Sequence, residues 1–400
     1  AGGPVLGDLM HVYLDHNATT PLHPDVLAAM IAAYARFGNP SSLHEAGRAA
    51  RQALEEARSA LAHAVGATDK DTVVFTSGGT EANNLALKGL AFGQRARGRH
   101  LIVSSVEHHA VLHAAAWLAT QGFEVTRLPV DGAGRLDPDD LRRALRPDTI
   151  LVSVMHGNNE TGVLFPVADL AALCRERGVA FHTDAVQTLG KVPVDWAALG
   201  VDLLSLSAHK IQGPPGIGAL LVRRGITMQP LLHGGSQERS RRAGTENVPA
   251  AVGLAAAARR AVADLPAQAA RLRRLRDRLE DGLLAAVPDV VVNGREAARL
   301  PHTSSLAFLG LEAESLILAL DLQGIAVSSG AACSSGSLEP SHVLLAMGLA
   351  CARVQASVRF SLGPSTTAEE IEHVLAVVPE LVERLRRVRV PLRQAAGARA

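Results

Sequence analysis

Between residues 72 and 222, short apolar, β-branched runs alternate with longer stretches whose apolar positions recur at helical spacing. The runs at 72–76, 100–104, 124–129, 149–155, 180–183, 203–207 and 218–222 predict strands, and 166–177 is one of the helical stretches between them. Helices alternating with buried strands predict an α/β fold with a largely parallel sheet. In such sheets ligands collect at the carboxyl ends of the strands. From 247 to about 284 the pattern becomes helical and rich in Ala, Leu and Arg, interrupted by Pro266, and shorter strands at 304–308 and 357–362 follow. This shift predicts a smaller α+β domain joined by the long helix, with 16–255 as the large domain and 1–15 plus 256–400 as the small one. Within that helix Arg271, Arg273, Arg274, Arg276 and Arg278 alternate with Leu272, Leu275 and Leu279. They read as a solvated helix face, with a docking surface for an acidic partner as the alternative.

Composition narrows the picture. Of 400 residues 48% are hydrophobic and 20% charged, the balance of a globular protein. Forty basic against 39 acidic residues leave a formal charge of +1, so nothing global favours nucleic acid or a membrane surface. No apolar run reaches the roughly 18 residues that span a bilayer, and the start of the chain lacks the basic and long apolar stretches of a signal peptide. Three scattered cysteines, Cys174, Cys333 and Cys351, do not make a disulfide framework, which fits a reducing, cytoplasmic setting.

Three strand ends carry candidate chemistry. Ser77-Gly78-Gly79-Thr80-Glu81 follows one strand and opens a helix. Its glycines allow close backbone approach, and free N–H groups and the Thr80 hydroxyl suit a phosphate. His182-Thr183-Asp184 ends another strand. Asp184 could cap a helix, or keep a heteroaromatic nitrogen protonated as pyridoxal phosphate requires. Ser205-Leu206-Ser207-Ala208-His209-Lys210 ends the next. There a lysine of lowered pKa could form a Schiff base, with Ser207 and His209 donating to the same phosphate.

The motifs around these residues resemble those of cysteine desulfurases in the class V aminotransferase superfamily. The resemblance rests on Tyr13-Leu14-Asp15-His16-Asn17-Ala18-Thr19-Thr20-Pro21, Phe37-Gly38-Asn39-Pro40-Ser41-Ser42, the Thr76–Glu81 loop, Met155-His156-Gly157-Asn158-Asn159-Glu160-Thr161-Gly162, His209-Lys210 and Gly244-Thr245-Glu246-Asn247. It runs from about Val12 to Gly363 and implies an aspartate-aminotransferase-like, fold-type-I pyridoxal 5′-phosphate enzyme. Carried over by position, it implies Lys210 as the cofactor anchor and catalytic base, Asp184 at the pyridine nitrogen and Gln187 at the phenolic oxygen. Thr80, Ser207 and His209 would bind phosphate with the Gly79 turn, and His108 would stack on the ring and assist proton transfer. Thr245 would reach the phosphate of a neighbouring subunit, making the active unit a homodimer. The departures are small: Gly79 stands where many relatives have Ala, and Gly157 occupies a variable position.

Cys333 decides between reactions, because the fold alone does not. It lies in Ser328-Ser329-Gly330-Ala331-Ala332-Cys333-Ser334-Ser335-Gly336-Ser337, almost all small residues, where a core cysteine would have large apolar neighbours. Cys174 and Cys351 fit the core reading better. In Val358-Arg359-Phe360-Ser361-Leu362 the alternation sets Arg359 opposite the apolar face, where its guanidinium could grip a substrate carboxylate, aided by Asn159 and Asn39. The resemblance then implies conversion of L-cysteine to L-alanine, with sulfur held on Cys333 as a persulfide for an iron–sulfur scaffold or tRNA-thiolation protein. Selenocysteine lyase, class V transaminase and a sulfur-relay scaffold without turnover are the rivals. No metal ligand set stands out.

Overall fold

The computed structural model describes residues 10–69, 72–329 and 340–397. Its strands in chain order are β1 (Val12–Tyr13), β2 (Val73–Thr76), β3 (His100–Ser104), β4 (Glu124–Leu128), β5 (Thr149–Ser153), β6 (Ala180–Asp184), β7 (Leu203–Ser207), β8 (Gly218–Val222), β9 (Val290–Val292), β10 (Thr303–Phe308), β11 (Ile325–Ala326) and β12 (Ser357–Ser361). Seven of them form a sheet of order β2-β8-β7-β6-β5-β3-β4, in which β8 runs against both neighbours and the other pairings are parallel. The strands expected from the sequence are present, each within about two residues at its ends.

Both faces of the sheet are covered, which is why its strands read as unbroken apolar runs. Phe75, Ile102, Val152, Phe181, Leu204 and Leu221 face the helices Glu45–Ala64 and Val248–Ala263 through Leu54, Ala57 and Leu254. Their strand neighbours Val74, Leu101, Val103, Leu151, Leu203 and Leu220 face Leu85, Leu90 and Leu118 on the opposite side. The helix after the glycine turn runs Gly79–Asn84, widens into a π-turn at Leu85–Gly89 and continues as Leu90–Gln94. The edge strand β4 is the half-exposed one.

A second core lies around the antiparallel sheet β12-β10-β9 and the helices Leu265–Ala286 and Ala368–Gly397. Val12 and Leu14 belong to it, because β1 pairs with β11 and Asp15 bridges to Ser361. The expected single long helix is two, Val248–Ala263 and Leu265–Ala286, broken at Asp264. Pro266 sits in the first turn of the second, where its missing N–H breaks no helical bond. After residue 340 the chain returns to the large core, burying Val343, Leu344, Met347 and Val354 there.

The arginine cluster corrects the reading of a solvated face. Arg276 is buried and donates to the Leu300 carbonyl at 2.7 Å, and Arg271 donates to the carbonyls of Thr366 and Pro364 at 2.6 and 2.7 Å. Arg278 pairs with Glu372, and Arg273 and Arg274 are exposed. Three of the five thus tie the helix to its neighbours. Among the described residues no helix is long and apolar enough to cross a membrane.

Candidate active site

The parallel strands point their carboxyl ends to one edge of the sheet, where a cavity of about 480 Å³ opens. Each strand delivers its residues through the turn that follows it: Gly79 and Thr80 after β2, His108 after β3, Asn159 after β5, Asp184 and Gln187 at the end of β6, and Ser207, His209 and Lys210 after β7. Arg359 enters from β12 of the second core. Of the residues singled out from sequence, these ten line the cavity together. Asn39 and Thr245 do not; both are exposed on this chain. Cys333 lies outside the described residues, but Ser328 and His342, near the two ends of its segment, both line the cavity.

Lys210 leaves the short 3-10 turn Ala208–Lys210 and donates from Nζ to the carbonyls of Asn17 and Ala18 at 2.5 and 2.6 Å. Burial pulls its amine down to about 8, the Arg359 charge adds to this, and Asp15 and Asp184 oppose it. Lys191, buried behind it, donates to the Lys210 carbonyl at 2.8 Å. Asp184 accepts from Asn83 Nδ2 at 2.6 Å and from the Val186 N–H at 2.9 Å, so the carboxylate is oriented before any ligand arrives. His108 caps the helix His109–Thr120, its Nδ1 accepting from the Ala110 N–H at 3.1 Å, and burial holds its ring below the ordinary histidine range.

Arg359 is buried, donates to the Asn159 carbonyl at 3.0 Å and pairs with Asp15 at 2.7 Å, while its Nε has no partner among the described residues. Asn17 ties the two cores: Nδ2 donates to the Asn159 carbonyl and Thr303 Oγ1, both at 3.0 Å, and its own carbonyl accepts from Lys210 and Gln187. Glu107, fully buried, accepts from Ser104 Oγ at 2.6 Å and the Met155 N–H at 2.7 Å, and burial pushes its carboxyl up to about 8. The Glu107 carbonyl accepts from His342 at 2.9 Å, fastening the chain just past the Cys333 segment to the cavity wall. Asp15 and Asn17 stand inside one of the motifs without an assigned role, and Glu107, Asn83 and His342 show no local sequence signal for theirs.

The other cysteines differ from each other. Cys174 is buried and its thiol is pushed up to about 12 by burial and then by Asp202, so it is inert. Cys351, expected in the core, is exposed, because it begins the short helix Cys351–Gln355, which buries little besides Val354.

These residues fit pyridoxal phosphate. A Cβ on Gly79 would lie 2.9 Å from Val186 Cγ2, so the absent side chain keeps the turn open, and one on Gly157 would lie 2.7 Å from Thr188 Cγ2. An amine, an oriented carboxylate and hydroxyl donors share one cavity. This site at the carboxyl edge of a mainly parallel sheet defines a fold-type-I pyridoxal-phosphate enzyme, and pyridoxal 5′-phosphate is its cofactor. A family model described as aminotransferase class-V matches residues 12–374. The chain is 50% identical over 376 residues to "Cysteine desulfurase IscS" of Methanosarcina thermophila, covering 94% of this chain and 93% of that one. It is equally identical over 378 residues to the protein of that name from Dictyoglomus turgidum, covering 94% and 96%. A solved "NifS-like protein" superposes with a TM-score of 0.88 at 37% identity, covering 94% of this chain and 100% of that one. The chain belongs to the class V aminotransferase family.

Proposed function

We infer that this protein is a cysteine desulfurase, converting L-cysteine to L-alanine and passing the sulfur to Cys333. The observation that carries this reading is the convergence of Lys210, Asp184 and Arg359 with Ser328 and His342, which bracket the Cys333 segment, on one cavity. The relatives that bear the name over nearly the whole chain support it. Incubation with cysteine should yield alanine in step with a Cys333 mass increase of one sulfur, and in step with sulfide once a dithiol reductant is added to reduce the persulfide; a keto acid instead would make the protein a transaminase.

When bound, pyridoxal phosphate supplies an electron sink for the substrate Cα. The chain supplies the rest. Arg359 holds the substrate carboxylate, Asn159 helps orient it, and Lys210, as the neutral amine, removes the Cα proton. Asp184 would hold the ring nitrogen's proton, Gln187 would meet the phenolic oxygen, and Thr80, Ser207, His209 and the Gly79 turn would take the phosphate. His108 would stack on the ring and assist proton transfer. The Cys333 thiolate attacks the substrate sulfur, the carbon–sulfur bond breaks, the three-carbon fragment is protonated to alanine, and the persulfide stays on Cys333.

The lowered lysine has a pH consequence. In cofactor-free protein, acylation of Lys210 should rise with pH and reach half its limit near pH 8, not near 10.5 as for a solvated lysine. The sign follows from burial disfavouring the ammonium, so the reactive neutral form appears earlier on the pH axis. Peptide-resolved labelling across pH 7–11 measures it, and a midpoint near 10.5 would show the amine to be solvated. Arg359→Lys should raise KM for cysteine about tenfold or more with a smaller change in kcat, since an ammonium cannot grip a carboxylate with two parallel bonds. An unchanged KM would remove the carboxylate role.

Four further assignments belong to this reading. A homodimer would give Thr245 and Asn39 a second cavity to serve, and the helix Pro24–Tyr34 exposes Leu27, Ile31 and Tyr34 beside the exposed Phe37 and Leu43. A sedimentation mass of one chain would exclude it. We assign the work to a reducing cytoplasm, with an iron–sulfur scaffold or tRNA-thiolation protein receiving the sulfur, and a two-domain division at about residue 256. Transfer of labelled sulfur to candidate acceptors tests the partner, and limited proteolysis the division.

A further inference from the structure

Glu238, Arg239 and Ser240 form a left-handed run, with φ of 45°, 56° and 63°. Side chains disfavour this region, and three such residues in succession persist only where the surroundings hold them. Here the hold is a buried ion pair: Arg58 donates from Nη1 and Nη2 to the two carboxylate oxygens of Glu238, each at 2.7 Å. Both residues are nearly inaccessible, and neither lines the cavity. The pair is also fastened to β2. Arg58 Nη1 donates to the Val73 carbonyl at 2.7 Å, the Phe75 N–H donates to Glu238 Oε2 at 2.8 Å, and the guanidinium lies 4.9 Å from the Phe75 ring.

The turn ends beside the glycine loop. Two residues beyond it, Arg242 Nε donates to Glu81 Oε1 at 2.9 Å, and Glu81 Oε2 accepts from the Ser77 N–H at 2.7 Å. Glu81 follows Thr80 directly. An uncompensated carboxylate there would repel a phosphate dianion at Thr80, whereas one neutralised by Arg242 and turned onto Ser77 does not. Burial works against the charge on Glu81, yet the bonds from Arg242 and Ser77 hold its carboxyl below the ordinary value.

We propose that Arg58 and Glu238 are positioning residues for the cofactor's phosphate, acting through the left-handed turn and Arg242 on the Ser77–Glu81 loop. This rests on the reading that Thr80 belongs to the phosphate site. The pair fixes the turn, the turn aims Arg242, and Arg242 masks Glu81 and steadies the loop. The effect falls chiefly on the phosphate, because the contacts running from Arg58 through Glu238 and Arg242 end on Glu81 and Ser77, whereas Asp184 is held separately by Asn83.

The test compares two aldehydes, pyridoxal phosphate and pyridoxal, titrated into cofactor-free protein and followed by absorbance. Glu238→Gln should weaken pyridoxal phosphate about tenfold and leave pyridoxal within about twofold. Arg242→Gln, at the half-buried end of the chain, should do the same and keeps the test alive if the first variant does not fold. Equal weakening of both aldehydes, or no change in either, would overturn the proposal. Thr80→Val separates the two layers. If it weakens only pyridoxal phosphate while the other two variants do not, the positioning role fails alone; if it does not discriminate, the phosphate site itself is misassigned and the positioning proposal falls with it.

Discussion

Lys210→Ala is expected to lose the visible absorbance that the cofactor gives when joined to the protein and to lower alanine formation by about 10³-fold or more. In the proposed mechanism one amine serves as anchor and as base, so a single deletion would remove both. Solvent replaces it poorly, because water is a far weaker base than an amine whose pKa is lowered to about 8 and that is held in the cavity. The fold should survive. The side chain's partners are the Asn17 and Ala18 carbonyls, and its own carbonyl still accepts from Lys191. Circular dichroism and an absorbance titration with pyridoxal phosphate check both parts. Persistence of the visible band would move the anchor to another amine, Lys191 being the first to examine.

Cys333→Ala is expected to keep the visible band and to lower sulfide and alanine production from cysteine by about 10³-fold, since the attacking thiolate has no substitute. Cys174 is buried with its thiol pushed up to about 12, and Cys351 opens a helix outside the cavity lining. Neither can take over. Selenocysteine, whose carbon–selenium bond is weaker and need not depend on the enzyme thiol, gives the contrast: retained alanine formation from selenocysteine with lost alanine formation from cysteine assigns Cys333 to sulfur alone. Wild-type sulfide release by the variant would end the assignment. Loss of the cofactor band would mean the substitution had disturbed the site more broadly.

The residues first assigned from local motifs are those whose chemistry sits at a strand end. Asp184, Ser207 and Lys210 follow apolar runs that can only be buried strands, and a parallel sheet gathers such ends at one edge. Arg359 was legible through alternation, since Val358 and Phe360 claim the core and leave its own face to the cavity. Asn83 was not legible: nothing in its helix announces that its amide meets Asp184, 101 positions away. Asn17 likewise depends on contacts with Asn159, Lys210 and Thr303, all distant in sequence. The arginine cluster misled because charge pattern reports what a helix could show to water, while Arg271 and Arg276 find carbonyls on loops that only the fold brings near. Cys351 misled for the opposite reason, its apolar neighbours lying in a short helix at the surface.

By itself, the sequence determined the alternation of strands and helices and singled out the amine, carboxylate and thiol on which the proposed chemistry would turn. These follow from local periodicity and from motifs contiguous in the chain, where spacing is the physical constraint. Tertiary structure decided what surrounds them: the Asn17 hub, the carboxylate of Asp184 oriented by Asn83, the lysine held near 8, and the turn pinned by Arg58 and Glu238. Those features arise from burial and from bonds between remote segments, and burial is a property of the folded whole rather than of any stretch of residues.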